Sequence, residues 1–199
     1  MLAEDQKQIA DKVVKFFCIS VFWVYMCIMS LPVFFPLMAI DFGVPGGLIG
    51  LVIAMPAIVA ILTTPLINHY IQTIGIEESI LYSILLFGVS NCIMSIAIFC
   101  PPNQSFMWVS SLSSLLFGLS AAGITVGESA LLLRYSRKED REKNLGMFRA
   151  ATGLGGLVSP LLGAGLYYFG GFFLVFLVNG IGCLVISPFV FCGMKESRT

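Results

Sequence analysis

The chain has 199 residues, of which 58% are hydrophobic and 11% charged; its net charge is zero and its mean hydropathy +0.96. Soluble domains carry about 25% charged residues, so this chain cannot clothe a water-facing surface, and its neutrality gives nucleic acid nothing to bind. The expectation is an all-α membrane protein whose first partner is the lipid bilayer.

Residues 1–12 are rich in charge and are expected to form a cytoplasmic segment. The apolar run that follows, 13–40, is too long for a signal-peptide core and should remain as the first span. Further runs lie at 46–71, 78–100, 106–134, 146–168 and 171–192, each near or above the ~20 residues that cross a ~30 Å hydrocarbon layer. A six-transmembrane-helix bundle over 13–192 follows, with a tail over 193–199. The basic residues all fall before the first span (Lys7, Lys12, Lys15), around the fourth connection (Arg134, Arg137, Lys138, Arg141, Lys143, Arg149) or after the last (Lys195, Arg198). Positive residues stay inside, which puts both termini in the cytoplasm of a vesicular, endomembrane or plasma membrane. The outer connections 41–45, 101–105 and 169–171 then carry one charge, Asp41, read as an interfacial residue. The basic stretch Arg134 to Lys143 is diluted by Glu139, Asp140 and Glu142 and reads as a topology determinant before it reads as a contact for anionic lipid. Asn103 heads a formal glycosylation sequon in a loop too short to lift it from the membrane surface.

Within or at the edge of the spans, the six cysteines show no CxxC spacing, so neither a zinc site nor a disulfide framework is suggested, and no metal or cofactor is expected. Small residues crowd Gly118 to Gly127 and Gly153 to Gly165, and Gly123/Gly127 and Gly155/Ser159 have the spacing that lets helix backbones approach in lipid. Pro65-Leu66 followed by Gly75 is echoed 95 residues later by Pro160-Leu161 followed by Gly170. The echo falls in spans of opposite direction, as a 3+3 inverted repeat requires.

Charge inside a span costs at least ~2.5 to 3.5 kcal/mol near the centre and survives only if paired or wetted. Glu128 in span four and Arg149 in span five lie about 9 Å and 6 Å from the cytoplasmic ends of their spans at ~1.5 Å per residue. They are expected to meet as an ion pair facing the bundle interior, either as a substrate or proton-coupling site or as a purely structural pair. Trp23 and Tyr25 offer ring faces to a cation, or ordinary packing. An enzyme reading would need Ser120, in Gly118-Leu119-Ser120, to meet a base. The sole histidine, His69, sits on another span near its cytoplasmic end, and the sequence points away from an enzyme.

Gly155-x-x-x-Ser159-Pro160-x-x-Gly163-Ala164 resembles the fifth-span antiporter motif GxxxGPxxGG, with Ser and Ala at two Gly positions. Together with six spans, cytoplasmic ends and the inverted echo, it makes 16–192 resemble the amino-terminal half of a major facilitator superfamily transporter. The branch is that of the drug:proton antiporters. Phe35-Pro36, the run Gly43-Val44 to Gly50-Leu51, and Leu145-Gly146-Met147-Phe148 to Gly155 are most similar to the vesicular amine and polyamine transporters. The loop signature GxxxDRxGRR would fall on Asn68 to Glu77, where only Gly75 survives, and RxxQGxG keeps Gly118 while Ser114 and Phe117 replace its Arg and Gln.

The resemblance implies proton-coupled transport of a small organic cation such as an amine, polyamine or drug, by an alternating-access machine of two bundles. One six-span bundle would need a second bundle, or a second copy, as its partner. The alternative is a half-length membrane protein that binds or assembles without transporting. Within the family, Glu128 and Arg149 are similar to a span-four Glu and span-five Arg of sugar symporters, and Gly155, Ser159, Pro160, Gly163 and Ala164 are expected to pack the antiporter motif.

Overall fold

The computed structural model describes residues 2–101, 104–136 and 140–196, with side chains described for 17–101, 104–134, 136 and 140–192. Asn103, Arg137, Lys138, Glu139 and Arg198 lie outside the described residues, as do the side chains of Lys7, Lys12, Lys15 and Lys195. Among the described residues the regular structure is all helix, the solution lipid imposes by leaving backbone N–H and C=O groups no partner but each other.

Five helices run in order: α1 Leu2–Asp41, α2 Gly46–Ile74, α3 Ile76–Ala97, α4 Gln104–Tyr135 and α5 Arg141–Glu196. All five are long and apolar enough to cross a membrane. The first of them begins at Leu2, so its helix already includes residues 2–12. The last, 56 residues long, leaves helical geometry at Gly170 (φ −151°, ψ 19°) and Gly171 (φ 62°, ψ −161°). A positive φ is open to glycine at little cost, and here it folds α5 back on itself. Gly155 packs on the α1 backbone at Phe22 and Met26, while Gly182 packs on Trp23 in the same turn. Those glycines would lie ~40 Å apart in a straight helix, so the two arms of α5, 141–169 and 172–196, are antiparallel neighbours. The chain thus folds into six membrane-length segments, and the last expected loop is only a two-glycine break.

The packing obeys the inverted repeat. The first arm of α5 lies on α1, α4 lies on α2, and the second arm lies on α3. Exchanging segments one to three for four to six turns the first contact into the second and leaves the third unchanged. The remaining seams also exchange: α3 meets α4 through Ser83 at Gly123 and Ile80 at Gly127, and α1 meets the second arm through Trp23 at Gly182. The sequence echo has a structural counterpart as well. Gly75 (φ 114°) joins α2 to α3, and Gly170 opens the break between the arms, so each triplet turns on glycine after its second segment.

Aromatic side chains fill the core. Phe106 of α4 stacks between Phe35 of α1 and Phe42 just beyond its end, at 6.3 and 4.6 Å, and Phe87 of α3 meets Phe117 of α4 at 4.8 Å. In their most apolar stretches only 17% of α2 and 28% of α5 is buried, against at least 50% for α1, α3 and α4. The uncovered faces therefore belong mainly to α2 and α5.

Candidate functional site

Glu128 lies on the buried face of α4 that also carries Ile124 and Leu131, and is itself only 3% exposed. Its partner comes from across the bundle: the Tyr25 hydroxyl donates to Glu128 Oε2 at 3.3 Å. Tyr25 reaches it because α1 is drawn against the first arm of α5. A methyl group on Gly155 would stand 2.5 Å from the Phe22 carbonyl oxygen and 3.3 Å from the Tyr25 Cβ. Along the same seam the hydroxyls of Ser30 and Ser159 meet at 3.2 Å, and the Phe34 ring occupies the space a side chain at Gly163 would take.

The antiporter-like motif thus divides between two faces. Gly155, Ser159 and Gly163, each four residues after the last, form the seam with α1, whereas Pro160 and Ala164 are exposed. Gly153 and Gly165 also have open space beside them, so they are not packing positions within this bundle as their small size had suggested. Period 3.6 explains the division, because a residue one step on is turned by about 100°.

The same rotation corrects the expected Glu128–Arg149 ion pair. Phe148 is on the seam, stacked on Phe17 at 6.1 Å, so Arg149, one residue later, turns outward and is exposed. Its charge acts through space on both the Glu128 carboxylate and the Tyr25 hydroxyl. Among the described residues, however, no ion pair joins Arg149 to Glu128.

A cleft of about 210 Å³ lies between α1 and the two arms of α5, with Trp23, Ser30, Ser159 and Asn179 among its walls. The Trp23 ring packs against Gly182, and Asn179 is 3% exposed.

The ion pair that does form was not anticipated from the sequence. Glu77 at the start of α3 is buried and meets Arg134 at the end of α4, Oε1 to Nη1 at 3.3 Å. The signal was present: opposite charges at matching depth on consecutive, antiparallel spans. Glu77 is the last position of the eroded loop signature, so that loop still carries a charge contact, formed with different residues. Ser120 donates to the Phe117 carbonyl of its own helix at 2.7 Å, and His69 is exposed on α2.

Residues 17–199 match the Major Facilitator Superfamily, and the chain belongs to that superfamily, a family of transporters. It is 31% identical over 150 residues to the Probable vesicular acetylcholine transporter-A of Danio rerio, covering 71% of this chain and 28% of that protein. The Vesicular acetylcholine transporter of Drosophila melanogaster is 28% identical, over 75% of this chain and 25% of its own length. Multidrug resistance protein 2 of Bacillus subtilis is 25% identical, over 76% of this chain and 36% of its own. The matched region thus spans between a quarter and just over a third of the length of these relatives. Membership in an antiporter-like branch, anticipated from the fifth-span motif, agrees with both the vesicular and the multidrug relatives.

Proposed function

We propose that this chain is one half of a secondary, proton-coupled transporter for a small organic cation, with Glu128 as the carboxylate that exchanges substrate or proton. The observation that carries the reading is Glu128 itself, a nearly inaccessible carboxylate that accepts a hydrogen bond from a neutral hydroxyl. A buried carboxylate without a cation in contact is expensive to keep charged. Such a group is suited to a cycle in which a proton or a cationic substrate neutralises it. Arg149, exposed beside it, is assigned to tuning that charge from the rim and not to a permanent salt bridge.

In this reading both termini are cytoplasmic, and the chain sits in a vesicular, endomembrane or plasma membrane. Alternating access needs a second bundle to rock against. The uncovered faces of α2 and of the first arm of α5, equivalents in the repeat, are assigned to it. The relatives' names suggest acetylcholine and related amines as the first substrates to try.

The test is ΔpH-driven uptake in proteoliposomes. The chain is reconstituted alone and together with the carboxy-terminal half of a vesicular acetylcholine transporter, and accumulation of labelled acetylcholine and protonated amines is measured. Accumulation that Glu128→Gln abolishes, with folding intact, supports the reading. Unchanged transport and unchanged pH dependence in Glu128→Gln would remove Glu128 from the mechanism. No accumulation in either arrangement would favour a membrane assembly partner that does not transport.

A further inference from the structure

At the end of the bundle away from the Glu77–Arg134 pair, α1 finishes on Asp41, with no basic residue in its last turn. The carbonyl end of a helix is already negative, so the carboxylate deepens an existing negative potential. The connections at this end, 41–45, 101–105 and 169–171, contain no Lys or Arg.

Beside Asp41 is a cleft of about 210 Å³ lined by Phe34, Leu37, Ile40, Asp41, Tyr167 and Phe172. Two features of the backbone build it. The Gly170–Gly171 break folds α5 so that Tyr167 and Phe172 face each other across the turn, their ring centroids 4.7 Å apart and tilted by 51°. Gly163 lets the Phe34 ring settle against the first arm.

We propose that this cleft is a second cation site, separate from Glu128, that takes a protonated or quaternary alkylammonium group. Three aromatic rings and one carboxylate are the chemistry that holds such a group, through ring faces and a single counter-charge. A metal ion would require several oxygen ligands, and the lining supplies only one carboxylate and one phenol. The volume is several times the ~30 Å³ share of a water molecule, which leaves room for an alkylammonium head. Asp41 follows Tyr25 by 16 residues on α1, or ~24 Å along the helix, so one small ligand cannot span both sites. The ammonium group can come from a dissolved amine or from the choline headgroup of a lipid, and the two sources make different predictions.

The experiment uses the full chain in nanodiscs of phosphatidylglycerol, which has no choline, and measures equilibrium binding of labelled tetraethylammonium. Saturable binding is expected in the Glu128→Gln background, where the first site cannot contribute, and there it is weakened at least tenfold by Asp41→Asn and several-fold by Tyr167→Leu or Phe172→Leu. Tetramethylammonium should compete, and the uncharged isostere 3,3-dimethylbutan-1-ol should not. In phosphatidylcholine discs, suppressed binding assigns the site to the lipid headgroup and retained binding assigns it to a solute. The proposal is overturned by absence of saturable binding in phosphatidylglycerol, by full binding in Asp41→Asn within the Glu128→Gln background, or by equal competition from the neutral alcohol. Loss in Glu128→Gln with retention in Asp41→Asn would also overturn it, while leaving the transport reading intact.

Discussion

Two seams of the bundle are equivalents in the inverted repeat, yet they are built differently. Where α4 lies on α2, Gly118 meets the Pro56 backbone and Val59, and the contact is apolar. Where the first arm of α5 lies on α1, Gly155 meets backbone in the same way, but Ser30 bonds Ser159 and Tyr25 reaches on to Glu128. Close approach through glycine is therefore the shared structural duty, since packing, not water, holds helices together in lipid. Polar side chains on only one of two symmetric seams mark where the molecule departs from pure architecture.

Substitutions can break or sharpen that contrast. The largest effect is expected from Gly155→Leu and Gly118→Leu, each overpacking a helix backbone at a cost on the order of 3 kcal/mol or more. Both should lower the thermal unfolding midpoint in detergent to a similar degree, and a much milder Gly118→Leu would mean that the seams are not structural equals. Next comes Arg134→Met, which takes a cation away from the buried Glu77. Loss of one partner costs about 3–5 kcal/mol for a fully buried pair and about 1 for a surface pair. Arg134 is 43% exposed, so about 2 kcal/mol is expected by the same melting assay.

Tyr25→Phe removes the hydroxyl that faces Glu128, leaving a buried acceptor short of a donor, at about 1–2 kcal/mol. It should also shift the pH profile of uptake, a readout that simple packing damage would not move; an unchanged profile would reduce Tyr25 to a packing residue. The smallest effect belongs to Ser159→Ala, about 0.6 kcal/mol for one hydroxyl contact between membrane helices. Restoring the motif's glycine, Ser159→Gly, should behave much the same, because the seam needs a small residue there and only gains from the hydroxyl.

Much of this architecture was legible in the chain as text. Hydropathy gave six apolar runs that all fall within the observed helical segments or end near their ends, and the echo of Pro65-Leu66 and Gly75 in Pro160-Leu161 and Gly170 anticipated a repeat that the packing pairs obey. The motif from Gly155 to Ala164 pointed to the superfamily that residues 17–199 match. The site was only half legible. Glu128 was found because a carboxylate in an apolar run stands out on cost alone, but its partner was misassigned. Depth can be counted along a chain; the direction a side chain faces cannot. Arg149 has the right depth and the wrong azimuth, and Glu77 with Arg134 has both right but drew no notice because each had been explained by something else.

What the sequence determined alone was which segments are apolar enough to cross lipid and where the charges lie between them, since transfer into hydrocarbon is settled segment by segment by side-chain chemistry. Tertiary structure decided which face of each helix turns inward. That choice depends on which neighbour a glycine admits, and a rotation of about 100° per residue separates the buried Phe148 from the exposed Arg149, and Ser159 from Pro160. The Tyr25–Glu128 contact joins residues 103 apart and exists only because α1 is held against α5, a condition that no local stretch of sequence contains.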